Sequence, residues 1–180
     1  MLNEMRAVGL VPGIALAALT GILVGILSAH PSKDQGNMEA RLQRMEDREE
    51  IRRLLLDYGR FLDQRNFAAF SQLFADPEGE WIGGMGKAKG QRAIRNLMEN
   101  SIGTKSDGSN FHLFANQIID VDGDRATANT KWIFVIRGEA NRPQPVYLGH
   151  YEDSLIRVNG KWKFLRRVAY SDIPAENPAK

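Results

Sequence analysis

The chain has 180 residues, of which 43% are hydrophobic and 26% charged, so a packed core is expected and a disordered chain is not. Its 24 basic and 22 acidic residues leave a net charge of +2 and alternate in sign, which argues against the clustered basic stripe a nucleic-acid partner needs. No cysteine occurs, which removes disulfides, thiolate metal sites and cysteine nucleophiles, and three histidines are too few for a histidine zinc cluster.

From Val8 to Ala29 runs VGLVPGIALAALTGILVGILSA, 22 residues without a charge. As a hydrophobic helix it is long enough to cross a bilayer, and it is equally compatible with a signal peptide cut after Ala29. Residues 1–29 are therefore read as a signal peptide or a transmembrane anchor. Either places the domain outside the cytoplasm, exported (periplasmic or secreted) or membrane-anchored, and an uncleaved segment makes the membrane a partner. Residues 30–45 read as a linker and helical extension. Their first part, HPSKDQGN, is polar and turn-rich, and Asn37 is a candidate N-cap for the helix beginning after it.

The stretch MEARLQRMEDREEIRRLLLDYGRFLDQRN has helical periodicity, with Ile51, Leu54, Leu55, Tyr58 and Leu62 on one face. Before Asp47 this stripe lapses, and residues 39–46 read as a solvated extension. NFAAFSQLFADP is a second, short helix ended by Asp76-Pro77. GEWIGGMGKAKG has the glycine density of a short strand and hairpin. GQRAIRNLMENSIG is a third helix, with Ile94, Leu97 and Met98 inward and Gly103 after its end.

From Asn110 onward the apolar residues recur every second position. Strands are predicted over 111–121, 124–138, 146–158 and 161–172. VDGD at 121–124 and VNGK at 158–161 supply the Asp-Gly and Asn-Gly pairs of tight hairpins, and GEANRPQP is a longer polar loop. Helices first and long antiparallel strands after them give an α+β architecture. The predicted form is a cone-shaped α+β barrel. Three helices pack on a strongly curved, mostly antiparallel sheet, preceded by the N-terminal hydrophobic helix. A cone of this kind encloses a cavity.

The segments EDREEIRRLLLDYGRFLDQRNFAAFSQLFADP, FHLFANQIIDVDGDRATA and GHYEDSLIRVNGKWKFLRR, in this order, resemble the SnoaL-like branch of the nuclear transport factor 2-like superfamily. The resemblance covers residues 46–174 and leaves 175–180 as a tail. It implies a deep pocket for a small apolar or aromatic molecule, and assembly as a homodimer or homotrimer through the open sheet face. The scaffold hosts dehydratases, dehydrochlorinases, isomerases, cyclases and non-catalytic members, so fold alone does not assign an activity.

Candidate site residues centre on the strand that contains His112, between Phe111 and Leu113. His112 shares its parity with Phe114, Asn116 and Ile118, and points into the pocket if that face lines the cone. In the lyase members a strand histidine pairs with an aspartate at the end of the first helix. Asp63 matches that aspartate, and Tyr58 matches a helix tyrosine of the dehydratases. A carboxylate on one imidazole nitrogen fixes the tautomer and raises the basicity of the other, which can then take a proton beside a carbonyl. Tyr58 would polarise that carbonyl or protonate a leaving hydroxyl. The alternative is a hydrogen-bonded core histidine satisfied by Asp63, with Tyr58 filling space.

The dehydratases usually add a second histidine or an acid from the next strand, and RATANTKWIFVIR contains neither. His150 is the candidate replacement, with a strand-edge surface residue as the alternative. Asn116, Trp132 and Phe134 are predicted to contact the substrate, and Trp132, with Trp162 and Phe164, also reads as core or cavity wall. Arg166 shares parity with Trp162 and Phe164, so it either reaches an anionic substrate or forms a structural salt bridge. No cofactor and no metal site are expected. Two functions are consistent with these residues: a cofactor-independent lyase or isomerase with Asp63, His112 and Tyr58 as catalytic residues, or an envelope carrier module using the same pocket. A third, assembly through the sheet face, has only the fold behind it.

Overall fold

The computed structural model describes residues 33–176, so the 1–29 segment and the end of the tail lie outside the described residues. Among the described residues, no helix is long and apolar enough to cross a membrane. The elements are α1 (Lys33–Asp63), α2 (Phe67–Ser71), β1 (Glu80–Gly83), β2 (Gly86–Lys89) and α3 (Gln91–Ile102), then β3 (Asn110–Asp122), β4 (Arg125–Arg137), β5 (Pro143–Val158), β6 (Lys161–Ile173) and β7 (Ala175–Glu176). The sheet order is β2-β1-β6-β5-β4-β3, with β7 paired to β6 off this path. Among the described strands only β1 and β6 pair in parallel, the other strand pairs being antiparallel, and an isolated parallel bridge joins Phe74 to Phe164. This is the predicted α+β architecture, a curved sheet wrapped over helices.

α1 begins at Lys33, so Asn37 lies inside the helix instead of capping it, and the linker reading fails from Lys33 onward. Polar residues with no proline among them lower helix stability only modestly at each exposed position, and the long helix absorbs the cost. From Gly36 to Glu46 the helix is solvated, with Met38, Leu42 and Met45 more than half exposed. The core face starts at Asp47 and continues through Ile51, Leu54, Leu55, Tyr58 and Leu62, each at most 8% exposed. Asp47 is buried because Arg157 Nη2 (2.6 Å), Gln43 Nε2 (3.0 Å) and Trp162 Nε1 (3.4 Å) all donate to it.

The core is aromatic. Tyr58, Phe67, Phe70, Phe74, Trp81, Trp162 and Phe164 are all buried. Phe70 packs on Tyr58 at 4.7 Å and on Phe74 at 5.8 Å, and Phe74 meets Phe164 at 5.2 Å. Each such ring contributes roughly 1.5–3 kcal/mol by leaving water. The chain after α2 is stitched to β6 by Ala75 N–H to Phe164 O and Phe164 N–H to Leu73 O, both 2.9 Å. Both predicted hairpins form. Gly123 (φ 56), Asn159 (φ 50) and Gly160 (φ 75) take the left-handed conformations these turns need.

Four register shifts interrupt the ladders, in β3–β4, in β4–β5 at Phe134/Val135 and twice in β5–β6, and two of them break the period-two reading of the candidate residues. The β3–β4 register shifts between Ala115 and Ile118, with Asn116 at φ 51, so the inward set passes from His112 and Phe114 to Ile119 and Val121. The β5–β6 register shifts where Ser154 opposes Arg166 and Leu155 opposes Phe164. That extra residue turns Arg166 outward and Arg167 inward.

Candidate active site

α1 carries Tyr58 one turn before its end and Asp63 as its last residue. The helix comes close to β3 because Gly59 has no side chain: a Cβ there would lie 2.5 Å from Phe114 Cε2 and 3.6 Å from His112 Cβ. This approach lets the Asp63 carboxylate meet β3. Its Oδ2 accepts the His112 backbone N–H (2.9 Å), and its Oδ1 accepts Asn110 Nδ2 (3.0 Å) and lies 2.6 Å from His112 Nδ1. An ionised carboxylate only accepts, so the proton of a neutral His112 belongs on Nδ1, which leaves Nε2 with its lone pair. Among the described residues, Nε2 has no partner.

His112 borders a cavity of about 410 Å³ enclosed by α1, the β1–β2 turn, the end of α3 and strands β3 to β6. Asp63 stands behind the ring. Phe134 packs on the imidazole at 4.6 Å, Trp132 at 6.2 Å and Phe114 at 6.5 Å. Tyr58, Trp81, Trp132, Phe134, Tyr147 and Tyr151 supply most of the wall, with Met85, Ile102 and Ala169 closing the apolar part. A larger open groove of about 670 Å³ runs along the outside of α1 past Lys161 and Lys163. Its charged, solvent-facing lining and its distance from the dyad make the smaller cavity the candidate site.

Of the three phenols that line this cavity, Tyr58 and Tyr151 are buried. Trp81 Nε1–H donates to Tyr58 Oη at 2.8 Å, so the Tyr58 proton is free to point elsewhere. Burial pushes the Tyr58 hydroxyl above the ordinary phenol range, opposed by the Arg167 charge. Burial pushes Tyr151 well above it, and neighbouring Tyr58 adds to that. Both therefore stay protonated donors at neutral pH. The Trp132 indole N–H, buried in the wall, is a further donor without a partner among the described residues.

Beneath the phenols lies an ion pair that the strand pattern did not reveal. Arg167 Nε and Nη2 donate to the two oxygens of Asp153 at 2.7 and 2.6 Å. The side chains are 1% and 0% exposed. The guanidinium lies over the rings of Tyr58 (4.0 Å), Phe164 (4.1 Å) and Tyr151 (4.2 Å). Burial raises the Asp153 pKa, and Arg167 opposes that rise. The inward parity of Asp153 with Tyr151 and Leu155 was a usable signal; nothing in the sequence marked the bulge that brings Arg167 in.

The structure brings His112, Tyr58, Trp132 and Phe134 together around one cavity, with Asp63 bonded to the far side of the His112 ring and outside the lining. It does not bring Asn116, His150 or Arg166. Asn116 is exposed at the β3 bulge, because the extra residue carries its side chain off the pocket face. His150 lies on the outer sheet face, where it bonds Asp172 (2.9 Å) and stacks on Tyr170 at 4.6 Å. Arg166 pairs with Glu80 at 3.4 Å outside the cone, so the structural alternative holds.

A strongly curved sheet wrapped over helices is the fold of the nuclear transport factor 2-like class. The model for the SnoaL-like domain matches residues 43–168, and the chain belongs to this family. An uncharacterized protein of Mycobacterium tuberculosis is 28% identical over 128 residues, 68% of this chain and 83% of that protein. An NTF2-like protein of Novosphingobium aromaticivorans with a cystatin-like fold is 27% identical, with TM-score 0.66 over 76% of this chain and 89% of that one. A scytalone dehydratase-like protein of the same organism is 28% identical, with TM-score 0.60 over 71% and 85%. A hexachlorocyclohexane dehydrochlorinase of Novosphingobium barchaimii, at 21% identity and TM-score 0.62 over 73% and 90%, shares the fold.

Proposed function

We propose that the protein is a cofactor-independent lyase or isomerase that takes a proton from carbon beside a carbonyl in a small, largely apolar or aromatic molecule. One observation carries this reading: His112 is held by Asp63 through Nδ1, and its Nε2 is unpartnered in a cavity that also holds Tyr58. Nε2 accepts the proton, and the electron pair left on carbon moves onto the carbonyl oxygen. Tyr58 and Tyr151 donate hydrogen bonds to that oxyanion where they cost no reorganisation. The enolate then either expels a β-hydroxyl, which leaves as water with the proton held on His112, or regains the proton at another carbon. The scytalone dehydratase-like neighbour, at 28% identity, supports the elimination branch.

A carrier reading draws on the aromatic wall, where Trp132 stacks on Tyr151 at 5.7 Å. The same pocket then holds a lipophilic ligand without turning it over. Assembly as a homodimer or homotrimer is proposed through the outer sheet face, where Leu113, Ile133, Leu148 and Ile173 lie in register across four strands. Leu113 is 55% and Ile173 62% exposed. A Leu113→Glu chain that sediments like the unmodified one removes that proposal. The uncharged 8–29 run supports an exported or membrane-anchored location, which fractionation of cells expressing the full chain tests.

The deciding experiment starts from native mass spectrometry of the purified chain, to identify a co-purifying ligand. That compound is then incubated with the protein in D₂O and deuterium uptake on carbon is followed by NMR. His112→Ala should slow uptake about 10²- to 10⁴-fold, the range for a positioned general base. Uptake that is absent, or unchanged in the variant, refutes the catalytic reading. The carrier reading expects His112→Ala to leave ligand affinity nearly unchanged.

A further inference from the structure

The cavity holds a cation that the proposed proton transfer does not use. Arg65 borders it, and no aspartate or glutamate does. Arg65 Nη1 donates to the Leu62 carbonyl at 2.9 Å, and Nη2 lies 3.5 Å from Asn110 Oδ1, the outer limit of a hydrogen bond. Its Nε is buried with no acceptor. Among the described residues, no carboxylate comes within ion-pair distance of this guanidinium. Asp63, the nearest acid in sequence, already accepts from Asn110 and twice from His112.

A guanidinium stays charged at any physiological pH, and it is costly to remove from water without an anion to face it. Arg65 also sits at φ 58, just past the end of α1, where a glycine would hold the left-handed turn without steric cost. The chain tolerates an arginine in that conformation with its Nε–H unsatisfied. Its Nε–H has no acceptor and its Nη2 has only the 3.5 Å contact to Asn110, and these two atoms form the edge of the fork that grips a carboxylate through two parallel bonds. Asn110 joins this edge to the dyad, since its Nδ2 donates to Asp63 while its Oδ1 faces Arg65.

We infer that Arg65 is an anion seat at the wall of this cavity, and that the molecule it takes is an aromatic or alicyclic carboxylate. This deepens the proposed function and rests on the same cavity. The carboxylate binds the guanidinium fork, the apolar ring lies against Trp132 and Phe134, and the acidic carbon falls on the side of His112 Nε2. Arg65 determines which substrates enter, and it takes no part in moving the proton.

The test is equilibrium binding of two ring-matched probes to the full chain, 2-naphthoate and neutral 2-naphthalenemethanol, by NMR titration at low and high salt. Naphthoate should bind about 10- to 100-fold more tightly, as for hydrogen bonds to a charged partner, and added salt should reduce the advantage. Arg65→Gly deletes the fork while suiting the positive φ, so the fold is retained, as a thermal melt verifies. It should erase the preference and leave the alcohol's affinity unchanged, whereas Arg65→Lys should keep part of it. Equal affinities in the unmodified protein, or a preference that survives Arg65→Gly, overturns the anion seat while leaving the cavity reading intact. Failure of both probes to bind overturns the two together. A charge preference alongside deuterium uptake independent of His112 keeps the seat and removes only the catalysis.

Discussion

Replacing Arg167 by methionine should be the most damaging single change beneath the cavity. Methionine keeps much of the side-chain volume but removes both bonds to Asp153, at 2.7 and 2.6 Å, where the two side chains are 1% and 0% exposed. Leaving one member of such a pair buried alone costs about 3–5 kcal/mol. For a domain of this size, that loss lowers the melting temperature by about 10–16 °C. The pair itself stabilises far less than this, because both ions are taken out of water. Arg167→Met with Asp153→Leu should therefore recover most of the loss, giving a coupling of at least about 2 kcal/mol in a double-mutant cycle. Urea and thermal melts of the four proteins measure it. The pH response is a second readout. Burial already raises the Asp153 pKa, and removing Arg167 raises it further. A group whose folded pKa is raised stabilises most below its unfolded value of about 3.8, and that contribution is lost as pH climbs through the folded value. Arg167→Met should accordingly be least penalised near pH 4 and increasingly penalised toward neutrality. A loss below about 1 kcal/mol, or strict additivity in the cycle, would show that the two side chains are not a coupled buried pair.

Asn116→Ala should cost about 1 kcal/mol, because alanine tolerates the positive φ of the bulge less well than asparagine, and it should leave probe binding unchanged. A large loss of binding with stability intact would return Asn116 to the pocket. Asp47 sits below its ordinary pKa of 3.8: burial raises it, but the bonds from Arg157, Gln43 and Trp162 outweigh burial. A depressed carboxylate stabilises above its unfolded pKa and loses that contribution as pH falls through the folded one. Between pH 5 and about pH 2.5 the unmodified protein should thus lose melting temperature faster than Asp47→Asn; parallel curves would contradict the assignment.

The long strands, both hairpin turns and the core face of α1 were legible because each rests on a local rule. Period-two alternation, an Asn-Gly or Asp-Gly pair and a 3.6-residue stripe all act within a few neighbours. The Asp63–His112 pair was legible through the family resemblance, with His112 on the same parity as Phe114. Asn116 and Arg166 were misplaced for one shared reason. Each follows or occupies a bulge, and a single extra residue sends every later side chain to the other face. His150 failed differently, since parity alone cannot say which face of a strand looks inward until a buried neighbour such as Tyr151 or Asp153 decides it. Arg65 carried no periodic signal, because it lies between two helices at a turn whose handedness glycine would ordinarily have announced.

Proton transfer at this site requires one ring in one protonation state, and ¹⁵N-resolved NMR of His112 in the unliganded protein reads that state directly. For the neutral ring the predicted result is a proton on Nδ1 and a bare Nε2, giving way to a mixture of tautomers in Asp63→Ala. A proton found on Nε2 in the unmodified chain, or a tautomer indifferent to Asp63, would contradict it.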